Sequence, residues 1–199
     1  MGATGYRNWR VMQSYIDLLT PYIPIAMPFL FAPLAAGWWL QTAVPLWFEA
    51  HREGLLYAYL TYIVFVRFAL LDMMLFYVSR KHKSIHLDLL QIVFLYLEIT
   101  AVTLMFFALL FNLFGVFELF SYNGAADAQQ LAAMQGHGLR LSLYISMEMF
   151  TTLGAGDWVP RTLTAMMAAG VESVLGFIQG GVFFAVLIYA HQGGKTGNR

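Results

Sequence analysis

The chain contains no cysteine. That removes disulfides, thiolate metal sites and cysteine nucleophiles together, and it leaves the redox compartment unread. Charge is also scarce: Asp, Glu, Lys and Arg make up 11% of the 199 residues, against roughly a quarter in soluble domains. Lys plus Arg balances Asp plus Glu at 11 each, so the basic excess that nucleic acid or an acidic polymer requires is missing. No internal repeat, Gly/Ser-rich linker or polar stretch of domain length interrupts the chain. The stretch 1–20 carries Arg7 and Arg10 without a continuous apolar core, and so does not read as a cleavable signal peptide.

What remains is apolar. Hydrophobic residues are 60% of the chain and the mean hydropathy is +0.65, so lipid rather than water is the expected solvent. Runs long enough to cross a bilayer lie at 24–48, 55–78, 87–119 and 163–190, because about 20 apolar residues span the hydrocarbon layer. Backbone polar groups must be satisfied within each such run, and strand-like alternation is absent, so all four predict helices and an all-α membrane protein. Pro24, Pro28 and Pro33 predict a kink in the first. Ahead of it, residues 1–23 predict an amphipathic interfacial helix with Trp9, Met12, Ile16 and Leu19 on its apolar side. With four spans, Arg7, Arg10, Arg80, Lys81, Lys83, Lys195 and Arg199 share one face and Arg52, Arg140 and Arg161 the other. The positive-inside rule then puts both termini in the cytoplasm.

The informative segment is 139–162, LRLSLYISMEMFTTLGAGDWVPRT. Its first half has the makings of a short helix. Its second half holds two glycines, an aspartate and a proline, an irregular backbone tolerated at membrane depth only against protein or a water-filled path. Thr151-Thr152-Leu153-Gly154-Ala155-Gly156-Asp157 resembles the T-T-V-G-Y-G-D selectivity filter of potassium channels, in which backbone carbonyls replace a cation's hydration shell. The resemblance covers about 141–187, roughly a quarter of the chain, and is specific to the pore of bacterial two-helix potassium channels. It implies a homotetramer in the plasma (inner) membrane and a re-entrant pore helix and filter between the third and fourth helices. The chain then divides into two peripheral helices (24–86), a pore domain (87–191) and a cytoplasmic tail (192–199). The implied function is passage of K+, or weakly selective monovalent cation flux including Na+, with no catalysis, no cofactor and no metal site.

By residue, the resemblance implies filter oxygens from Thr152, Leu153, Gly154, Ala155 and Gly156. Glu148 and Asp157 match a pore-helix glutamate and post-filter aspartate that share a proton. Gly176 matches the inner-helix hinge glycine, and Phe177, Gly180 and Phe184 match cavity positions. Ala155 departs from the family's tyrosine, and Tyr144 and Trp158 are the candidates to brace the filter in its place.

Arg67, Asp72, Glu98 and Glu172 are ionisable groups inside spanning runs, each costly there and each in need of a partner. An interhelical ion pair between Arg67 and Glu98 is the expected solution. Arg67 stands alone on its helix, so no voltage sensor is read. The competing reading is an integral-membrane enzyme using Glu98, Glu172, His82, His86 and Asp88. The last three cluster beside Arg80, Lys81 and Lys83, a pattern that suits a solvated face touching anionic lipid.

Overall fold

A computed structural model describes residues 23–81, 89–124, 133–134, 136–154 and 156–196. Residues 1–22 of the N-terminal helix predicted over 1–23, the cluster His82, His86 and Asp88, and Ala155 lie outside these residues. The described residues are mostly helical. Its elements are α1 (Ile23–Ala43), α2 (Pro45–Ala50), α3 (Arg52–Lys81), α4 (Leu89–Leu113), α5 (Val116–Leu119), β1 (Phe120–Tyr122), α6 (Gly138–Thr151), β2 (Trp158–Pro160) and α7 (Leu163–Thr196). Among the described residues, two windows are long and apolar enough to cross a membrane, Tyr96–Leu113 in α4 and Leu163–Ala185 in α7.

The expected boundaries shift where a breaker was given the wrong weight. α1 runs unbroken through Pro28 and Pro33 and ends only before Pro45, whose ring opens α2 at a position where no backbone N–H is needed. The third span stops at Leu113 rather than 119, since Gly115 takes φ 78° and starts the short α5. At the other end α7 continues to Thr196, so the expected tail from 192 is largely helical.

α4 is the central element. Thr103, Phe106, Phe107, Ala108, Leu110 and Phe111 are all fully buried, a run too continuous for a one-faced helix and the mark of one packed on several sides. Phe31 of α1 meets Phe106 at 6.4 Å, and Phe48 of α2 meets Phe114 at 5.6 Å. Tyr59 of α3 stands edge-on to Phe114, and its hydroxyl donates to Pro33 O at 2.7 Å.

α6 lies antiparallel to α4. A Cβ at Gly138 would sit 3.0 Å from Asn112 Oδ1, and eight residues on Ser146 Oγ donates to Leu104 O at 3.0 Å. The chain then returns. β2 pairs antiparallel with β1, Tyr122 opposite Trp158 and Phe120 opposite Pro160, which brings the segment after α6 back to the end from which α6 started. The short sheet is pinned by Asn123 N to Asp157 O at 2.6 Å, Arg161 N to Leu119 O at 2.8 Å and Arg161 Nη1 to Phe117 O at 3.1 Å.

α7 is patterned inside out. Met166, Gly170, Val174, Phe177, Gly181 and Phe184 are exposed along one stripe, while Ala165, Ala168, Glu172, Leu175 and Gln179 are buried along another. Both stripes keep the spacing of three and four that marks one helix face. The polar residues point inward and the aromatic ones outward, the reverse of a helix in water and the arrangement expected where the surroundings are apolar.

Candidate functional site

The return segment begins where α6 ends. Thr152 caps the helix in the left-handed region at φ 54°, ψ 23°, and Gly154 and Gly156 follow at φ +53° and +75°. Left-handed helix caps are common, but they are ordinarily glycine or asparagine. A β-branched residue there is strained by about 1–2 kcal/mol, and such strain persists where the surroundings over-determine it. Thr152 is the sole non-glycine with positive φ among the described residues. The positive angles therefore fall on every second residue, with Leu153 between. A backbone whose hand alternates at successive residues turns its carbonyls to one side of the chain instead of to opposite sides as in a strand. One-sided carbonyl oxygens are ligands for a hard cation. Thr151, Thr152, Leu153, Gly154 and Gly156 are all exposed in the single chain, Leu153 at 79%.

α6 supports this segment from behind. Glu148 is 5% exposed, and its Oε1 accepts from Gly156 N at 3.1 Å. Asp157 Oδ2 accepts from the Tyr144 hydroxyl at 3.0 Å, while Asp157 Oδ1 accepts from Trp158 N at 3.0 Å. Glu148 and Asp157, the pair expected to share a proton, thus each accept from donors of their own. Burial and the bond to Asp157 hold the Tyr144 phenol above its ordinary pKa of 10.0. Trp158 is 3% exposed and packs edge-on to Phe117 at 5.6 Å and against Tyr122 at 5.4 Å. It braces the exit of the return segment on the β1 side, Tyr144 on the α6 side.

α7 grips α6 at successive points. Glu172 Oε1 is hydrogen-bonded to Ser146 Oγ, Ser173 Oγ donates to Met149 O at 2.7 Å, and Gly176 lies against the Phe150 carbonyl. A Cβ at Gly176 would overlap that oxygen and stand 3.2 Å from the carbonyl carbon. Gly176 is therefore a close-packing position as it stands, where the resemblance implied a hinge. Gly180 and Gly181 have no such neighbour within 4 Å, and Phe177 and Phe184 are exposed at 80% and 65%.

The expected partner of Arg67 is also corrected. Arg67 is 3% exposed, and its Nη2 donates to Gln179 Oε1 on α7, not to Glu98 of α4. Gln179 Nε2 in turn donates to Thr100 Oγ1 at 2.6 Å, and Thr100 Oγ1 donates to Tyr96 O at 2.8 Å. A bare glutamine and serine carry little signal in a sequence, which is why Gln179, Ser146 and Ser173 were missed. The seven-residue spacing of Gln179 from Glu172, two turns along one face of the largely apolar α7, was the available clue to Gln179. Among the described residues no three His, Asp or Glu side chains come together as a metal site would require. Compared with family models, curated proteins and solved structures, the chain matches none.

Proposed function

We propose that the chain is one subunit of a homotetrameric cation channel of the potassium-channel type, passing K+ or a weakly selective flux of monovalent cations through the main-chain oxygens of 152–156. The observation that carries this reading is positive φ at Thr152, Gly154 and Gly156 in an exposed segment, held from behind by Glu148 and Tyr144. Four symmetry-related copies would supply the rings of oxygen that a single strand cannot close. The exposed apolar stripe of α7 is the surface such copies would share. α6 points its C-terminal end, with its partial negative charge, at the place where the cation would wait. α1 and α3 are read as the first two of four spanning helices, a peripheral layer around α4 and α7. Both termini then face the cytoplasm across the plasma (inner) membrane, with the basic stretch Arg80, Lys81 and Lys83 beside anionic lipid.

Purified protein in liposomes with an imposed K+ gradient tests the reading. It requires K+ flux above that of empty vesicles, and reversal potentials in mixed Na+ and K+ give the selectivity. Gly156→Ala should abolish the flux, because a side chain at φ +75° costs about 1–2 kcal/mol and rotates the carbonyl. Unchanged current in that variant would refute the assignment of the filter.

A further inference from the structure

Behind the return segment lies a buried polar contact that the channel reading does not use. Glu172 is 0% exposed on the inward stripe of α7, and Ser146, also 0% exposed, faces it from α6. Ser146 Oγ is in hydrogen-bond contact with two oxygens at once, Glu172 Oε1 and the backbone carbonyl of Leu104 on α4. A serine hydroxyl has a single proton to donate, and a carbonyl oxygen only accepts. If the hydroxyl donates to Glu172, two bare oxygens are left face to face at 3.0 Å between Ser146 and Leu104. If it donates to Leu104 O, the contact with Glu172 has a proton only when Glu172 brings one.

We propose that Glu172 is a neutral carboxylic acid that donates its proton to Ser146 Oγ, and that the chain Glu172 to Ser146 to Leu104 is a strut that positions the pore helix α6 between α4 and α7. Two further observations agree. Both ion pairs among the described residues engage Arg52, with Glu49 and Glu118, so no described residue forms an ion pair with Glu172. Its second oxygen, Oε2, is buried without a hydrogen-bond partner, which the carbonyl oxygen of an acid tolerates far better than half of a carboxylate does. The strut meets α6 one turn before Phe150 and Thr151, beside the bonds from Ser173 and the contact at Gly176. It therefore sets the depth at which the return segment starts. The positioning role rests on the channel reading; the protonation state does not.

Infrared spectroscopy of the full chain in lipid nanodiscs tests the proton. The wild type should show a carboxylic-acid C=O band that is absent in Glu172→Gln, and Ser146→Ala should shift it toward the frequency of an acid without a hydrogen-bond partner. Identical acid-region spectra in wild type and Glu172→Gln would overturn the proposal. K+ flux in liposomes tests the strut. Glu172→Gln keeps an N–H to donate to Ser146 and should conduct as the wild type does, whereas Glu172→Ala should lose flux. Flux at the wild-type level in Glu172→Ala would overturn the positioning role while leaving the neutral acid to the spectra. If Glu172→Ala fails to fold, Ser146→Ala, which cuts the same strut, takes its place in the flux assay. If the wild type itself carries no flux, the channel reading has failed and the infrared band still decides the protonation of Glu172.

Discussion

Substituting Gly176 and Gly180 by alanine, one at a time, separates a packing contact from a hinge. Removing a glycine from the interior of a helix stabilises it by about 1 kcal/mol, and that gain is common to both positions. Gly180 has nothing within 4 Å of where its Cβ would go, so Gly180→Ala should keep the gain. At Gly176 the new methyl collides with the carbonyl oxygen of Phe150 and lies 3.2 Å from its carbon and 3.3 Å from its ring. Overpacking costs about 1–3 kcal/mol. Here the obstacle is main chain that cannot rotate aside, which places the cost at the upper end. Gly176→Ala should therefore be destabilised by about 2 kcal/mol net, and the two variants should differ by about 3 kcal/mol. Unfolding in mixed micelles by added SDS, followed by far-UV circular dichroism, reads the difference. The displaced Phe150 immediately precedes the return segment, so Gly176→Ala should also lose K+ flux. If Gly176→Ala proves as stable as Gly180→Ala, α7 does not lie against the end of α6 and the reasoning fails.

Other contacts give sharper or coarser readouts. Glu148→Ala should strip the acceptor from Gly156 N–H, a loss of about 1–3 kcal/mol, and K+ current should decay within a recording. Glu148→Gln retains an acceptor and should hold it; equal decay in both variants would mean that the charge, not the bond, matters. Arg67→Leu leaves Gln179 Oε1 without its donor, and a double-mutant cycle with Gln179→Leu should give a coupling of about 0.5–3 kcal/mol in the SDS titration. Additive losses would place the two side chains apart. Ala155→Tyr should raise K+ over Na+ permeability in mixed-cation reversal potentials, and an unmoved ratio would assign the bracing to Trp158 and Tyr144 as they stand.

The short helix α6 and the irregular run after it were legible because their signals are local. Twelve of the fourteen residues of α6 were expected as helix from 139–150, and glycines at 154 and 156 announce positive φ with no knowledge of the rest. The long helices α3, α4 and α7 were legible from apolar length. Pairings between helices were not. Arg67 was matched to Glu98 because opposite charges are the only complementarity a sequence displays, whereas the contact made is to an amide 112 residues away. Gly176 was matched to a hinge because a glycine looks alike whether it bends or admits a neighbour. Only the position of Phe150, fixed by the antiparallel packing of α6 on α4, shows that Gly176 admits a neighbour. Pro28 and Pro33 do not interrupt α1, since neighbouring helices can satisfy the groups a proline frees, and the helix ends just before Pro45.

The choice of an amide at 179 follows from what surrounds it. Two arginines of α3, Arg52 and Arg67, make polar contacts to the rest of the molecule, about 22 Å apart along the helix at 1.5 Å per residue. At the Arg52 end the guanidinium reaches Phe114 O, Glu118 and Glu49 with side chains partly in solvent, where ion pairs contribute little beyond about 1 kcal/mol. At the Arg67 end no solvent shares the charge, and the partner must stabilise it without adding a second buried ion. A glutamate at 179 would accept from Arg67 but could give nothing to Thr100. Glutamine accepts with Oε1 and donates with Nε2 at the same time, and Thr100 passes the polarisation on to Tyr96 O. The positive charge of one helix is thereby spread through a line of dipoles across α7 into α4. Gln179 lies one turn beyond Gly176 and beside the unobstructed Gly180 and Gly181, so this line crosses α7 at its glycine-rich stretch. α3 is thus tied to α7 by a bond that is neutral on one side, and so free of the larger penalty of separating two buried ions.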